Sequence, residues 1–139
     1  MTGSLVISLD FELLWGVRDH ADRNSYGANI LGAREAIPRI LELFAEHDIL
    51  ATWATVGFLF CEGKEELLSI LPPPQLRPDY KVPALSNYSY ITETGRNEAS
   101  DPYYFAPSLI RQIAATPGQE VGTHTLSHCY CLEDGFTVR

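Results

Sequence analysis

The segment Leu5-Val-Ile-Ser-Leu-Asp-Phe-Glu12 places two acidic residues directly after a short apolar run. The apolar part, residues 5–9, contains β-branched side chains and is typical of a strand buried on both faces in a parallel sheet. Asp10 and Glu12 follow at the carboxyl end of that strand. Functional groups of α/β proteins collect at the carboxyl ends of parallel strands. The segment therefore predicts an α/β fold and the location of its site.

Two further strands are predicted over residues 49–56 and 120–124, where Thr and Val occur together with other residues typical of strands. Between the first two strands, residues 33–46 show apolar side chains at helical spacing. Pro38 lies early in this segment. Either the helix begins near Glu35, where a first-turn proline is tolerated, or it is kinked at the proline.

The region between the second and third strands predicts a short helix over residues 64–71 and another that starts at Pro107, because the first helical position tolerates proline. Residues 16–29 and 72–103 show no clear periodicity and are predicted as loops. A stretch of about 30 residues without regular structure is unusual inside a compact domain and indicates either a functional loop or a wrong assignment. The element order predicts an α/β sheet or barrel in a single domain over residues 1–139.

Composition excludes several classes of partner. The 139 residues carry a formal net charge of −8, with a sequence pI near 4.8. No basic surface is available to neutralise phosphates, so nucleic acid is not expected as a partner. No apolar run approaches the roughly 20 residues that span a bilayer, and the start of the chain does not have the form of a secretory signal. The odd count of three cysteines favours a cytoplasmic protein with free thiols.

His124-Thr-Leu-Ser-His128 places two imidazoles four residues apart, after the predicted third strand. On a helix or a helix-like turn both rings would point the same way, which suits two ligands of one metal ion. A carboxylate from Asp10 or Glu12 would complete a set of two histidines and one acid, which is typical of catalytic zinc sites. The alternatives are that His124 and His128 form a chance pair without a metal, and that Asp10 and Glu12 are simply the solvated end of a strand.

Other residues admit weaker interpretations. Cys129 and Cys131 adjoin His128, and a structural zinc cluster built on them is an alternative, although their spacing fits such clusters poorly. The aromatic run Tyr103-Tyr-Phe105 is predicted to pack in the core, with a contact to a sugar ring as the alternative.

Three segments together resemble the polysaccharide deacetylase family, the NodB-homology carbohydrate esterases. They are Ser8-Leu-Asp10-Phe-Glu12-Leu-Leu-Trp-Gly16, Ala51-Thr-Trp-Ala-Thr-Val-Gly57 and Glu120-Val-Gly-Thr-His124-Thr-Leu-Ser-His128. The resemblance covers essentially the whole chain in the right order, and the histidine segment is its most specific part. It implies the N-terminal part of a distorted, incomplete (β/α) barrel.

The resemblance also implies an activity and a role for each site residue. The family hydrolyses N-acetyl and some other non-peptide C–N bonds with a divalent metal ion. For this chain the resemblance implies Zn²⁺, with Co²⁺, Ni²⁺ or Mn²⁺ as alternatives. Asp10 corresponds to the catalytic base, and Glu12, His124 and His128 to the metal ligands. The substrate would be an N-acetylated carbohydrate or a small amide. No substrate-binding residue is predicted.

The chain departs from the family in two respects. The commonest opening motif has two adjacent aspartates, whereas here Phe11 separates the acids and the second is Glu12. The assignment with Glu12 as the base and Asp10 as the metal ligand is therefore the alternative. Family members also continue beyond the position of Arg139, with an arginine motif and a late histidine that acts as general acid. We therefore expect self-association or a missing C-terminal half. A truncated, non-catalytic metal-binding or interaction module of the same fold is the alternative function.

Overall fold

The computed structural model describes residues 3–134 and 136, so Arg139 lies outside the described residues. Its three parallel strands form one sheet in chain order, and helices lie between them. The bounds are β1 (Ser8–Phe11), α1 (Arg23–Glu46), β2 (Ala51–Thr55), α2 (Lys64–Ser69), α3 (Pro107–Ala115) and β3 (Gln119–Thr123). The α/β class and the predicted element order are confirmed, whereas the barrel stays a prediction.

Strand β1 begins later than predicted. Leu5 and Val6 precede it and are 89% and 82% exposed, so the prediction of a strand buried on both faces from residue 5 is wrong. Its neighbour β2 starts at Ala51, and the first strand pair is Ser8 with Thr52. The Ile7 carbonyl still accepts a hydrogen bond from the Thr52 N–H at 3.0 Å, so contact with β2 extends one residue before β1. Within the described residues β1 and β3 each pair on one side only, and the expected self-association stays a prediction.

Helix α1 begins at Arg23, so part of the predicted loop over residues 16–29 is helical. Asp22 caps the helix. Its Oδ1 accepts hydrogen bonds from the backbone N–H of Asn24 and Ser25, and the Ser25 hydroxyl accepts one from the Asp22 N–H. This reciprocal capping satisfies N–H groups that the first turn leaves free. Pro38 lies inside the helix, well past its first turn, so a start near Glu35 is wrong.

The predicted loop over residues 72–103 contains three short 3₁₀ helices, Pro74–Leu76, Pro83–Leu85 and Asn87–Glu93. Charged contacts attach the following residues to α1. Arg23 pairs with Asp101 at 2.7 Å, and Arg34 pairs with Glu98 at 2.5 Å. The Lys64 ammonium donates to the carbonyls of Thr92 and Thr94. These contacts fix the segment against the helices.

The core lies around Trp15, which packs against Phe58 and Tyr104 with ring centroids 5.0 and 4.6 Å away. The Trp15 indole N–H donates to the Tyr104 carbonyl at 3.0 Å. Tyr104 and Phe105 are buried, which confirms core packing for them, and Tyr103 is partly buried against the same core. Helix α3 starts at Pro107 as predicted, and it buries Leu109, Ile110 and Ile113. No helix in the described residues is both long enough and apolar enough to cross a membrane.

Candidate metal centre

The carboxyl ends of the three strands bring the predicted site residues together. Phe11 of β1 is level with Thr55 of β2, and Thr55 is level with Thr123 of β3. Glu12 and His124 are the residues that directly follow the two outer strands. The His124 N–H donates to the Thr55 carbonyl at 2.9 Å, which continues the pairing for one more residue. Residues 112 positions apart in the chain thus meet at one edge of the sheet.

Glu12 is held by the tightly turned segment that follows it. Leu13 has a φ of 47°, in the left-handed region that a leucine seldom adopts. The 3₁₀ helix Leu13–Gly16 then buries Leu13, Leu14 and Trp15. Since these three side chains are in the core, the reversal after β1 is fixed and the Glu12 side chain lies at the edge of the sheet.

The two histidines flank a turn over residues 125–127, so of the two predicted forms, a helix or a helix-like turn, the structure has a turn and no helix. Thr125 and His128 have φ values of 60° and 55°. Left-handed backbone at a β-branched residue is strained, and such strain concentrates at functional sites. The turn still brings the two imidazole rings together, with their centroids 5.0 Å apart.

The residues after β2 support the histidine turn, which is the segment over residues 124–128. The N–H groups of Gly57 and Phe58 donate to the carbonyls of Thr125 and Leu126 at 2.9 and 3.0 Å. A Cβ atom at Gly57 would lie 2.9 Å from the Leu126 Cα. Only glycine therefore allows the turn to approach the 3₁₀ helix Gly57–Phe60 so closely.

Glu12, His124 and His128 converge on one point. The Glu12 Oε2 atom lies 3.3 Å from Nε2 of His124 and 3.0 Å from Nε2 of His128. One ligand atom from each residue lies within 4.8 Å of the others. The Glu12 side chain is 25% exposed, so the cluster is open to solvent. Two imidazole nitrogens and one carboxylate oxygen form a donor set that suits Zn²⁺ with an open coordination position.

The environment of Glu12 favours its ionised form. The hydrogen bond with His128 lowers the pKa of the Glu12 carboxyl, burial opposes that effect, and the charges of His128 and His124 lower the pKa further. The net shift is downward. A carboxylate must be deprotonated to bind a metal ion, so this direction fits the proposed ligand role.

His128 lacks one feature of most metal-binding histidines. Its Nδ1 atom is buried and has no hydrogen-bond partner among the described residues. Metal-binding imidazoles usually donate from the second nitrogen to an acceptor that fixes the ring. Here the Tyr130 ring packs edge-on against His128, with centroids 5.1 Å apart. Packing and backbone geometry must therefore orient this imidazole.

Asp10 lies beside this cluster but outside it. Its Oδ1 atom is 3.9 Å from Nδ1 of His124, and its side chain is 63% exposed. Glu12 contacts both histidines, whereas Asp10 approaches one of them. The geometry therefore favours Glu12 over Asp10 as the ligand. Both acids line a groove of about 330 Å³ between β1 and α1.

Cys129 and Cys131 do not join the cluster. All three cysteines are free, and Cys131 is exposed. Within the described residues, the one group of potential metal ligands is the set formed by Glu12, His124 and His128. The cysteine-based zinc cluster consequently has no support from the geometry.

Three residues that matter at the site were not predicted from the sequence: Gly16, Asn87 and Tyr130. Tyr130 follows His128 by two residues, which was the available signal for its contact. Gly16 closes the motif that resembles the deacetylase family, but the pattern does not indicate why glycine is needed. Asn87 lies in the aperiodic region and had no signal, because its contacts are 40 and 72 residues away in the chain.

Comparison of the chain with protein-family models, with curated proteins and with solved structures gave no match.

Proposed function

We propose that this protein is a metal-dependent hydrolase of non-peptide C–N bonds that removes the acetyl group from an N-acetylated sugar or a related amide. The observation that carries the proposal is the position of the Glu12 carboxylate between the Nε2 atoms of His124 and His128. The resemblance of the three sequence segments to polysaccharide deacetylases supplies the reaction class. The parallel sheet is compatible with the N-terminal part of a (β/α) barrel.

Glu12, His124 and His128 would hold the metal ion, with zinc preferred for this nitrogen and oxygen donor set and Co²⁺, Ni²⁺ or Mn²⁺ as alternatives. A bound divalent cation supplies Lewis-acid polarisation of the amide carbonyl and lowers the pKa of water toward about 7. The ionised Glu12 carboxylate offsets part of the cation's charge. The left-handed turn keeps both imidazoles directed at that carboxylate.

Asp10 is the proposed general base. Its exposed carboxylate lies beside His124 and contacts neither the Nε2 atoms nor the core, so it is free to accept a proton from the attacking water. The groove between β1 and α1 contains both acids and is lined mainly by aliphatic and aromatic side chains. Of the proposed metal ligands, Glu12 lines this groove and the histidines do not, so a substrate bound there would approach the site from the side of Asp10 and Glu12.

The test is acetate release from an N-acetylated glucosamine oligomer by the full chain. The protein is stripped with a chelator and then reconstituted with Zn²⁺, Co²⁺, Ni²⁺ or Mn²⁺. We expect release that requires a metal, is lost in Glu12→Gln and is retained in Glu46→Gln, a matched change at an exposed acid of α1.

Metal-independent release, or release that survives Glu12→Gln, would contradict the proposal. Stoichiometric metal binding without turnover on N-acetylated sugars and small N-acetyl amides would instead identify the chain as a non-catalytic metal-binding module.

A further inference from the structure

Gly16 and Asn87 are not themselves candidate metal ligands, but both contact the segments that carry Glu12 and His128. We propose that Gly16 and Asn87 are positioning residues of the metal centre, Gly16 for the Glu12 carboxylate and Asn87 for the loops that carry Glu12 and His128. The inference rests on the proposed metal centre. It identifies two residues that keep the proposed ligands in position.

Gly16 provides the space that the Glu12 side chain occupies. It ends the 3₁₀ helix Leu13–Gly16, which turns back so that its last residue faces Glu12. A Cβ atom at position 16 would overlap the Cδ, Oε1 and Cγ atoms of Glu12. These are the atoms of the group whose Oε2 contacts both histidines. Any side chain at Gly16 therefore forces the carboxylate away from His124 and His128.

The expected consequence for the fold is small. Gly16 does not adopt a left-handed φ, so alanine is compatible with its backbone. The atoms in the way belong to the end of a flexible, partly exposed side chain, which can rotate into solvent. Gly16→Ala thus displaces one proposed ligand while it leaves the core intact. This separates positioning of the carboxylate from general stability.

Asn87 joins the two ligand-bearing loops. It is 3% exposed, and its Nδ2 amide donates to the Trp15 carbonyl and to the Ser127 carbonyl, both at 2.9 Å. Trp15 is three residues after Glu12, and Ser127 directly precedes His128. One amide group from a third segment consequently fixes the distance between the two loops.

The role of Asn87 matters because His128 has no other polar restraint on its ring apart from Glu12. The His128 Nδ1 atom has no partner in the described part of the chain, so the position of its backbone decides where Nε2 lies. The Asn87 bond to Ser127 holds that backbone. Aspartate has the same shape as asparagine but no N–H, and its charge would face two carbonyl oxygens. Asn87→Asp thus removes the link with little change in volume.

The experiment measures zinc affinity by competition with a chromophoric chelator, and stability by urea unfolding of the same metal-free samples. Wild-type protein is compared with Gly16→Ala and Asn87→Asp. Gly32→Ala is the control for Gly16, because a Cβ at Gly32 meets nothing within 4 Å. Thr94→Val is the control for Asn87, because it removes a buried hydroxyl that donates to the Ile91 carbonyl at the end of the 3₁₀ helix Asn87–Glu93.

We expect Gly16→Ala to weaken zinc binding at least about tenfold, with an unfolding midpoint near that of the wild type. Gly32→Ala should bind zinc as the wild type does and unfold at a somewhat higher urea concentration, because alanine favours the interior of α1. Asn87→Asp should weaken it by roughly 10–100-fold, the usual effect of losing a residue that orients a ligand. Thr94→Val should lower stability and leave zinc affinity unchanged. If Asn87→Asp does not fold, Asn87→Ser replaces it, since serine is too short to reach both carbonyls and should also weaken zinc binding.

Wild-type zinc affinity in Gly16→Ala would overturn the assignment of Gly16. Wild-type affinity in a folded Asn87 variant, or an equal loss in Thr94→Val, would overturn the assignment of Asn87. Failure of the wild-type protein to bind zinc would overturn the metal centre itself and this inference with it. Equal affinity in wild type and variants would overturn the inference and leave the proposed function standing.

Discussion

Glu12 and Asp101 are both acids in contact with potentially cationic side chains, yet their surroundings differ. The Asp101 side chain is 0% exposed, and its Oδ2 accepts hydrogen bonds from the Arg23 guanidinium at 2.7 Å and from the Gly95 N–H at 2.6 Å. Glu12 is partly exposed and lies between two imidazoles. Asp101 pairs with a guanidinium that is always charged. Glu12 instead faces two imidazoles, which can be either neutral or charged.

The difference separates a structural ion pair from a candidate site. Arginine keeps its charge at all accessible pH values, so the Asp101 pair links the segment after β2 to α1 permanently. Imidazoles are neutral or charged near neutral pH and bind metals through the neutral ring. Changes at the Glu12 cluster should therefore alter metal binding with little effect on stability, and changes at Asp101 should do the reverse.

The largest expected effect is at His124. His124→Ala removes one of three ligands and should lower zinc affinity by more than about 100-fold, which exceeds the usual loss for residues that only orient ligands. The ring is 30% exposed, so the unfolding midpoint should change little. Metal content after dialysis measures the first effect and urea unfolding the second. Unchanged zinc content would contradict the ligand assignment.

Asp10→Asn should separate catalysis from metal binding within the site. Asparagine keeps the shape of aspartate but cannot accept a proton, so acetate release should fall by roughly 10²–10⁴-fold. Zinc affinity should stay at the wild-type value, because Glu12 supplies the carboxylate ligand. Loss of zinc in Asp10→Asn together with retained zinc in Glu12→Gln would mean that the two acids have exchanged roles.

Asp101→Asn tests the structural half of the comparison. It weakens the hydrogen bonds to Arg23 and Gly95 in a buried position and should lower the free energy of unfolding by about 1–3 kcal/mol. Glu62→Gln is the control, because its pair with Arg111 is exposed on both sides and contributes at most about 1 kcal/mol. Zinc affinity should not change in either variant. A loss of affinity in Asp101→Asn would show that the two clusters are coupled.

The smallest effect is expected in the pH dependence at Glu98, which binds Arg34 and Ser108. Burial raises the pKa of this carboxyl, but hydrogen bonds from Ser108 and Arg34 outweigh it, and the net shift is downward. A lowered pKa stabilises the fold above the ordinary value of 4.5, and the contribution is lost as pH falls through the folded-state pKa.

Glu98→Gln should therefore be less stable than wild type at pH 7, and the difference should shrink as the pH falls below about 4.5. Unfolding in urea at several pH values measures it, with zinc absent throughout. A difference that is constant with pH would indicate that the Glu98 contribution does not depend on its ionisation.

Much of the fold followed from local patterns. Strand β2 followed from a run rich in Thr, Trp and Val, and helix α3 from helical spacing and its proline start. Parallel strands place Glu12 and His124 at one edge of the sheet. The first half of α1 was missed because its polar start gives little apolar periodicity. Its capping pair, Asp22 and Ser25, was the usable signal.

Other features depend on tertiary contacts that no local pattern encodes. The register of β1 against β2, which begins with Ser8 opposite Thr52, depends on a segment distant in the chain. The link from Asn87 to Ser127 likewise depends on the path of a segment without periodicity. The sequence pattern likewise did not indicate the left-handed backbone at Thr125 and His128, which shapes the turn between the two histidines. In that turn the chain departs from local preference in order to bring two imidazoles to one carboxylate.

X-ray absorption spectroscopy of the zinc-loaded full chain tests the metal centre most directly. We expect one zinc ion per chain, coordinated by two imidazole nitrogens and carboxylate oxygen at about 2.0–2.2 Å. The imidazole signal should be halved in His128→Ala. Absence of stoichiometric zinc, or sulfur scattering at about 2.3 Å that disappears when Cys129 and Cys131 are both changed to serine, would contradict the site formed by Glu12, His124 and His128.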